Sequence, residues 1–222
     1  MRQVRIVLWM LVVVVAAAAA GVYVGQTFLS PNTSNASGSL AAAFARSQYE
    51  DAGGPFTLIN TDGETVSEQD FRGKPLAIFF GFTHCPDVCP TALLDMSGWL
   101  DGLGEDAERI HAVFVSVDPE RDLPETLGRY VSAFDSRIVG LTAETEDDIK
   151  AIADTFKVRF EKIPLKNGSY TVNHTADTLL FDAEGRYSGF IPYLAPNMRQ
   201  NEKIAVEEQS RAVSQLQALV GS

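Results

Sequence analysis

The sequence predicts a domain of the α/β class, in which helices flank a mixed β-sheet. Short apolar runs that are typical of buried strands alternate with stretches whose apolar residues recur at helical spacing. Two further pairs of strands are separated only by a turn, at Asn167-Gly168 and at Glu184-Gly185, as expected of β-hairpins. The chain of 222 residues is long enough for one such domain with an appendage.

The first half of the domain alternates strands with helices. The predicted elements are a strand at 56–59, a one-turn helix at 67–71, a strand at 76–81, a helix at 91–103 and a strand at 110–117. Ser67 is expected to cap the one-turn helix, because Asp70 follows three residues later as in a capping box. The strand at 76–81 consists of apolar or small residues, as expected of a strand that is buried on both faces.

The second half continues the alternation and adds the two hairpins. The predicted elements are helices at 123–134 and 145–156, a strand at 138–141, hairpin strands at 158–163 and 170–172, hairpin strands at 178–181 and 187–191, and a closing helix at 201–219. Pro124 suits the first turn of its helix because proline lacks the backbone N–H that would go unpaired there. Thr145 is expected to cap the next helix, whose first turn is acidic.

Residues 1–29 are predicted to be a transmembrane helix that anchors the protein. Arg2 and Arg5 precede an uncharged stretch, 6–26, which is long enough to cross a bilayer. Arginines on that side favour a cytoplasmic N-terminus, so we expect a single-pass protein of the bacterial inner membrane with its globular domain in the periplasm. A cleaved signal peptide is the alternative, because the alanines at 16–20 could supply a cleavage site.

The rest of the chain is predicted to be a linker and one domain. Residues 30–52 form the flexible linker, since the segment begins with a run of small polar residues that has no apolar pattern. The globular domain occupies residues 53–222. The formal net charge of −11 argues against a nucleic-acid partner, because a phosphate backbone requires a basic face.

The two cysteines of the chain, Cys85 and Cys89, are the strongest functional signal. They lie between the buried strand at 76–81 and the helix at 91–103, which is the arrangement of the thioredoxin fold. Two uses are open: a disulfide that opens and closes, or two thiolate ligands for a soft metal. A purely structural disulfide is disfavoured, because it would close too small a loop to stabilise the fold much.

Two thiolates make an incomplete metal site, so the histidines are the candidates for a third ligand. His84 adjoins Cys85, and the side chains of neighbouring residues tend to point in different directions. His111 starts a buried strand and is better explained as a histidine with a structural role. His174 precedes the strand at 178–181, in a loop expected to pass beside the cysteines, but its spacing alone leaves a ligand role open. Two thiolates and an imidazole would suit Cu(I), whereas structural zinc would require a fourth ligand.

A second polar segment, 116–122, follows the strand at 110–117 at the same sheet edge as the cysteines. Asp118 in this segment could orient a ligand or attract a cation from behind the site. A capped turn before the next helix explains the segment equally well.

Four motifs resemble the Sco/SenC family. They are Gly-Phe-Thr-His-Cys-Pro-Asp-Val-Cys-Pro at 81–90, Ser-Val-Asp-Pro-Glu-Arg-Asp at 116–122, Val-Gly-Leu-Thr at 139–142, and His174-Thr175. The resemblance implies a membrane anchor followed by a thioredoxin-like copper-binding domain with an inserted β-hairpin. It also implies that Cys85, Cys89 and His174 are copper ligands, for Cu(I) and also for Cu(II). The family commonly has Asp before the histidine, and this chain has Asn173, a neutral neighbour that would alter copper affinity or transfer rather than ligation.

The resemblance favours a metallochaperone that helps to assemble the dinuclear copper site of cytochrome c oxidase. The expected partners are the copper-bearing subunit of that oxidase, a periplasmic copper donor, and a thiol reductant that keeps Cys85 and Cys89 reduced. The alternative is a thiol–disulfide reductase that keeps the copper-site cysteines of the target reduced, in which the cysteine pair is the catalytic group. A peroxidase or redox sensor is a weaker third hypothesis.

Overall fold

The computed structural model describes residues 48–221, and the fold is given for these residues. The predicted anchor at 1–29 and the predicted linker up to residue 47 lie outside them. Within residues 48–221, no helix has both the length and the apolar character that a membrane crossing requires.

A seven-stranded mixed sheet forms the centre of the described domain. In spatial order its strands are β2 (Thr65–Ser67), β1 (Thr57–Asn60), β5 (Ile138–Thr142), β4 (His111–Ser116), β3 (Leu76–Gly81), β8 (Thr178–Phe181) and β9 (Tyr187–Ile191). The central strands β3, β4 and β5 are parallel, and the outer strands pair antiparallel. Parallel neighbours end at the same edge of a sheet, so the segments that follow β3 and β4 leave the sheet side by side.

A separate hairpin carries the third candidate ligand. Its strands, β6 (Phe160–Pro164) and β7 (Tyr170–His174), pair antiparallel with each other and form a two-stranded sheet of their own. The turn at Gly168 has a φ of 81°, a left-handed conformation that glycine adopts without strain. The hairpin predicted from Asn167-Gly168 is therefore confirmed, and β7 continues beyond the predicted end at residue 172 to His174 itself.

Five α-helices and two 3₁₀ helices complete the described part of the chain. The α-helices are α1 (Val88–Leu103), α2 (Pro124–Ser132), α3 (Glu146–Thr155), α4 (Pro196–Arg199) and α5 (Glu202–Val220). The 3₁₀ helices are Glu68–Phe71 and Gly104–Arg109. Gly102 lets α1 and α5 approach closely, because a Cβ at this position would lie 2.7 Å from a methyl group of Val213.

Both predicted helix caps, Ser67 and Thr145, are confirmed. Ser67 and Asp70 form the predicted capping box at the 3₁₀ helix, and Thr145 Oγ1 accepts the N–H of Asp148 at the start of α3. Asn201 caps α5 in the same way, so the helix that was predicted to begin at residue 201 begins one residue later, at Glu202. These caps satisfy N–H groups that have no partner within their own helix.

The structure corrects several predicted boundaries. The helix predicted at 91–103 begins at Val88, so the second cysteine lies inside it. The hairpin strand predicted from residue 158 begins at Phe160, because Lys157 adopts a φ of 58° and the N–H of Val158 still bonds to the end of α3. Strand β2, the 3₁₀ helix at 104–109 and α4 were not predicted; at three to six residues each, they are too short to show periodicity.

Candidate metal centre

The cysteine loop begins where β3 leaves the sheet. The N–H of Cys85 bonds to the carbonyl of Phe82, which folds the chain into a turn, and Cys89 is the second residue of α1. Cys85 Sγ accepts the N–H of Cys89 at 3.4 Å, and Cys89 Sγ accepts the N–H of Phe82 at 3.5 Å. Each sulfur therefore receives one backbone N–H, and the one that Cys85 Sγ accepts lies at the N-terminus of α1, which favours the thiolate form.

Gly81, the last residue of β3, makes room for Cys89. A Cβ at this position would lie 2.9 Å from Cys89 Sγ and equally close to the rings of Phe79 and Phe114. No ordinary side chain fits such a space, so glycine lets the buried sulfur lie directly on the strand. Cys89 is 0% exposed, whereas Cys85 is only half-buried. Both thiols are free rather than joined in a disulfide.

His174 brings its imidazole to the sulfurs from the end of β7. Its Nε2 atom lies 3.4 Å from Cys89 Sγ, and its Nδ1 atom lies 2.8 Å from the carbonyl oxygen of Thr175. A carbonyl only accepts hydrogen bonds, so Nδ1 carries the proton and the lone pair of Nε2 faces the sulfurs. The rings of Phe79 and Phe82 meet the imidazole edge-on, each with centroids 5.9 Å apart, and fix its plane.

Cys85, Cys89 and His174 thus form a compact set of three soft donors. Their ligand atoms all lie within 4.8 Å of one another, and within residues 48–221 this is the one group of three or more His, Cys, Asp or Glu side chains that could hold a metal ion. Two thiolates and one imidazole suit copper, because Cu(I) favours soft sulfur ligands. Structural zinc sites are almost always four-coordinate, and no fourth His, Cys, Asp or Glu side chain of the described residues joins this group.

The two thiols differ in acidity. A hydrogen bond from the side chain of Cys89 is the main reason that the pKa of Cys85 falls to about 3. Burial raises the pKa of Cys89, and the neighbouring Cys85 sulfur raises it further. In the metal-free protein, Cys85 is therefore the thiolate and Cys89 keeps its proton.

Asp122 supports the cysteine loop from the segment that follows the neighbouring strand, β4. Its carboxylate accepts the N–H of Thr83 at 2.9 Å, the hydroxyl of Thr83 at 2.6 Å and the hydroxyl of Ser116 at 2.6 Å, and it is 0% exposed. The sequence did not identify this residue. The signal lay in the register of the parallel strands, because Gly81 aligns with Ser116 and places the two following loops next to each other.

Comparison with known proteins identifies the family. A family model described as SCO1/SenC matches residues 45–207, which is most of the chain. The chain belongs to the SCO1/SenC family. This membership confirms the resemblance that the sequence motifs carried.

Individual SCO1/SenC relatives match over the described domain. A SCO2-like protein of Rickettsia prowazekii is 40% identical over 144 residues, covering 63% of this chain and 70% of that protein. The structure of Bradyrhizobium japonicum ScoI with copper bound is 38% identical with a TM-score of 0.65, and the match covers 76% of this chain and 99% of ScoI. The chain spans between 41% and 50% of the mitochondrial relatives that it also matches. The predicted thioredoxin-like α/β fold is confirmed by these similarities.

A more distant SCO1/SenC structure supports the fold alone. BsSco is described as a member of the Sco family of cytochrome c oxidase assembly proteins. It is 23% identical to this chain with a TM-score of 0.53, and the match covers 73% of this chain and 94% of BsSco.

The structure places the other candidate site residues of this SCO1/SenC chain away from the sulfurs. Asp118 is fully buried, and its hydrogen bonds come from Tyr170 and Arg121 rather than from a candidate ligand. Asn173 is exposed and lies opposite Glu161 in the hairpin. The Asp118 carboxylate therefore contacts the hairpin that carries His174 rather than the sulfurs.

The two remaining histidines lie outside the group of three donors. His84 is 54% exposed, and its Nδ1 atom lies 3.1 Å from the hydroxyl of Thr83 and 3.8 Å from Asp122. His111 is half-buried at the start of β4, where its ring meets that of Phe71 edge-on with centroids 5.3 Å apart. Burial lowers the pKa of His111, which keeps its ring neutral and suits the structural role that the sequence predicts for it.

Proposed function

We propose that this SCO1/SenC protein binds copper through Cys85, Cys89 and His174 and serves as a metallochaperone in the assembly of cytochrome c oxidase. One observation carries the proposal: two sulfurs and the unprotonated nitrogen of an imidazole converge within 4.8 Å. The copper-bound state of ScoI supports the choice of metal. Membership of the SCO1/SenC family supports the link to the oxidase, because the Sco family is described as one of cytochrome c oxidase assembly proteins. The acceptor is the copper-bearing subunit that holds the dinuclear copper site.

The donor set explains which form of the protein holds copper and which form cannot. The two thiolates are the soft ligands that Cu(I) prefers, and the imidazole supplies the nitrogen that Cu(II) accepts as well. Cys85 is already a thiolate, and Cys89 releases its proton when the ion binds, because a metal ligand must be deprotonated. Oxidation of Cys85 and Cys89 to a disulfide would remove both thiolates, so the disulfide is the form that cannot hold copper.

The location and the remaining partners follow from the N-terminal sequence and from this chemistry. Arg2, Arg5 and the uncharged stretch at 6–26 support a helix in the bacterial inner membrane, with the copper site in the periplasm. The periplasm is oxidising, so a thiol reductant must keep the cysteine pair reduced before copper arrives. A periplasmic copper donor supplies the ion.

The test compares copper binding with disulfide chemistry in one variant. His174→Ala removes the nitrogen donor and leaves both sulfurs. We expect the full-length reduced variant to lose at least about tenfold in Cu(I) affinity in competition with a chromogenic chelator, while Cys85 and Cys89 still cycle between thiol and disulfide. Full copper delivery to the oxidase by this variant would overturn the three-ligand site. His111→Ala is the matched control, because it removes a half-buried imidazole outside the site.

A second function, thiol–disulfide reduction, is favoured by the unequal acidity of the two cysteines. The Cys85 thiolate would attack a disulfide of the target and release one target thiolate as a mixed disulfide forms. Cys89 would then lose its proton and attack the Cys85 sulfur, which frees the second target sulfur and leaves the Cys85–Cys89 disulfide. The target is reduced by two electrons, and the cysteine pair is oxidised by two.

An assay without copper distinguishes the reductase function from the chaperone function. Reductase activity predicts turnover with a protein disulfide in the absence of copper, loss of turnover in Cys89→Ser, and little change in His174→Ala. A chaperone without reductase activity predicts no turnover above that of a small-molecule thiol.

A further inference from the structure

The histidine reaches the cysteines on an element that the main sheet does not hold. Cys85 and Cys89 are fixed by β3 and α1, but His174 ends a hairpin whose two strands pair only with each other among the described strands. Ladder hydrogen bonds therefore do not set the distance between the imidazole and the sulfurs. That distance depends on contacts between the hairpin and its neighbours.

One short segment contacts both the cysteine loop and the hairpin. Residues 118–122, which we term the clamp segment, follow β4 at the sheet edge where the cysteine loop begins. At one end, the Asp122 carboxylate holds the N–H and the hydroxyl of Thr83, two residues before Cys85. At the other end, Asp118, Glu120 and Arg121 bond to the hairpin.

Arg121 and Asp118 hold Tyr170, the first residue of β7. The guanidinium of Arg121 lies over the ring of Tyr170, 3.8 Å from its centroid, and Nη1 donates to the Tyr170 carbonyl at 3.1 Å. The hydroxyl of Tyr170 donates to Asp118 at 2.8 Å, and Asp118 also pairs with Arg121. The Asp118 side chain is 0% exposed and that of Arg121 is 20% exposed, so water screens these contacts little.

A second contact joins the clamp segment to the other hairpin strand. Lys162, in the middle of β6, donates to Glu120 at 3.0 Å and to Glu146 of α3 at 2.6 Å. Its ammonium also lies 4.9 Å from the centroid of the Tyr170 ring. Tyr170 is therefore contacted by cations from two directions, and both strands of the hairpin are tied to the same five residues.

We propose that Arg121, Asp118 and Tyr170 are positioning residues that hold the hairpin so that His174 Nε2 faces the cysteine sulfurs. The proposal rests on the proposed copper site, and it identifies the residues that bring the third ligand, His174, to that site. Loss of the Arg121–Tyr170 contact would free the imidazole, whereas the cysteine loop would keep the two hydrogen bonds from Thr83 to the Asp122 carboxylate. A three-donor site would become a two-sulfur site.

The test uses three hairpin-contact variants and one control in the full-length chain. Arg121→Gln removes the charge and the stacking, Tyr170→Leu removes the ring, and Tyr170→Phe removes only the hydroxyl. Arg129→Gln is the control, because Arg129 is an exposed arginine on α2 that pairs with Glu125. Thermal melting identifies a variant that fails to fold. Tyr170→Leu and Tyr170→Phe keep the test decisive if Arg121→Gln unfolds because it leaves buried Asp118 without a cation.

Two measurements report on the hairpin, and the first needs no metal. In the reduced, metal-free protein, Arg121→Gln and Tyr170→Leu are expected to raise amide hydrogen exchange in residues 160–174 by about tenfold, Tyr170→Phe less, and Arg129→Gln not at all. In the Cu(I)-loaded protein, X-ray absorption is expected to lose the nitrogen contribution in the first two variants and to keep the sulfur shell. Alkylation of Cys85 should keep the wild-type rate in the metal-free variants.

Each outcome decides the inference separately from the copper function. The positioning role would be overturned if both Arg121→Gln and Tyr170→Leu kept the wild-type rate of amide hydrogen exchange in residues 160–174 and the wild-type nitrogen ligand of copper. It would also be overturned if the rate of Cys85 alkylation changed by the same factor as the rate of amide exchange in the hairpin, because the variants would then disturb the whole site. If the wild-type protein bound no Cu(I), the proposed function would fail, whereas the exchange comparison would still support or overturn the positioning of the hairpin.

Discussion

The Nε2 atom of His174 lies 3.4 Å from the sulfur of Cys89, although the two residues are 85 positions apart in the chain. The helix N-terminus fixes the sulfur and the separate hairpin brings the nitrogen. The hydrogen bond from Nδ1 to the Thr175 carbonyl turns the lone pair of Nε2 toward the sulfurs. The candidate copper site is therefore assembled by tertiary contacts, and these contacts can be tested one at a time.

The first prediction concerns the acidity of Cys85 in the reduced, metal-free protein. Its pKa is lowered to about 3, mainly by the hydrogen bond from Cys89, so the thiolate is fully present above about pH 4. The rate of alkylation by iodoacetamide should therefore be nearly flat between pH 5 and pH 8. An ordinary cysteine, with a pKa of about 8.5, would react about tenfold faster per pH unit over most of this range.

Cys89→Ala provides the control for that prediction. It removes the largest cause of the lowered pKa, so the alkylation rate of Cys85 should regain a dependence on pH. Site-resolved mass spectrometry follows the labelled residue. A wild-type rate that climbs tenfold per pH unit from pH 5 to pH 8 would contradict the assignment of the thiolate to Cys85.

The second prediction concerns Asp122. Asp122→Ala removes the acceptor of the Thr83 N–H and of two hydroxyls in a buried position. Unpaired buried donors are costly, so the free energy of unfolding should fall by about 2–4 kcal/mol in urea titrations. Asp62→Ala, at an exposed turn, should stay within about 0.5 kcal/mol of wild type. Equal effects of the two substitutions would show that Asp122 does not support the loop.

The third prediction concerns the close approach at Gly81. Gly81→Ala places a methyl group 2.9 Å from Cys89 Sγ and from two buried phenylalanine rings, so we expect a loss of about 1–3 kcal/mol in the free energy of unfolding. Gly98→Ala is the matched control in α1. Its methyl group would meet only the movable end of Gln209 at 3.2 Å, and alanine is a better helix former by up to about 1 kcal/mol. If Gly81→Ala and Gly98→Ala changed the free energy of unfolding in the same direction, the close approach at Gly81 would not explain the result.

The sequence predicted the parts of the site that depend on local pattern. The six buried residues of β3 were visible as a continuous apolar run, and both cysteines were expected between this strand and the next helix. The hairpin at Asn167-Gly168 was visible because its turn needs a glycine with positive φ. Each of these features is encoded within about ten residues of the chain.

The sequence could not predict the features that depend on how distant segments meet. Spacing alone left His174 open as a ligand, because its distance from the cysteines depends on a hairpin outside the main sheet. From the sequence, Asp118 was predicted to be the supporting acidic residue. In the structure it is Asp122, four residues later, whose carboxylate bonds to the cysteine loop, while that of Asp118 bonds to Tyr170. A shift of four residues within this turn is enough to exchange the roles of two such residues, and local pattern does not resolve it.

X-ray absorption of the reduced, full-length protein after anaerobic titration with Cu(I) tests the central claim most directly. We predict one tightly bound copper per chain, with a shell of two sulfurs and one nitrogen, and loss of the nitrogen in His174→Ala. No stoichiometric binding, or a shell of sulfur alone in the wild-type protein, would contradict the assignment of Cys85, Cys89 and His174 as a copper site.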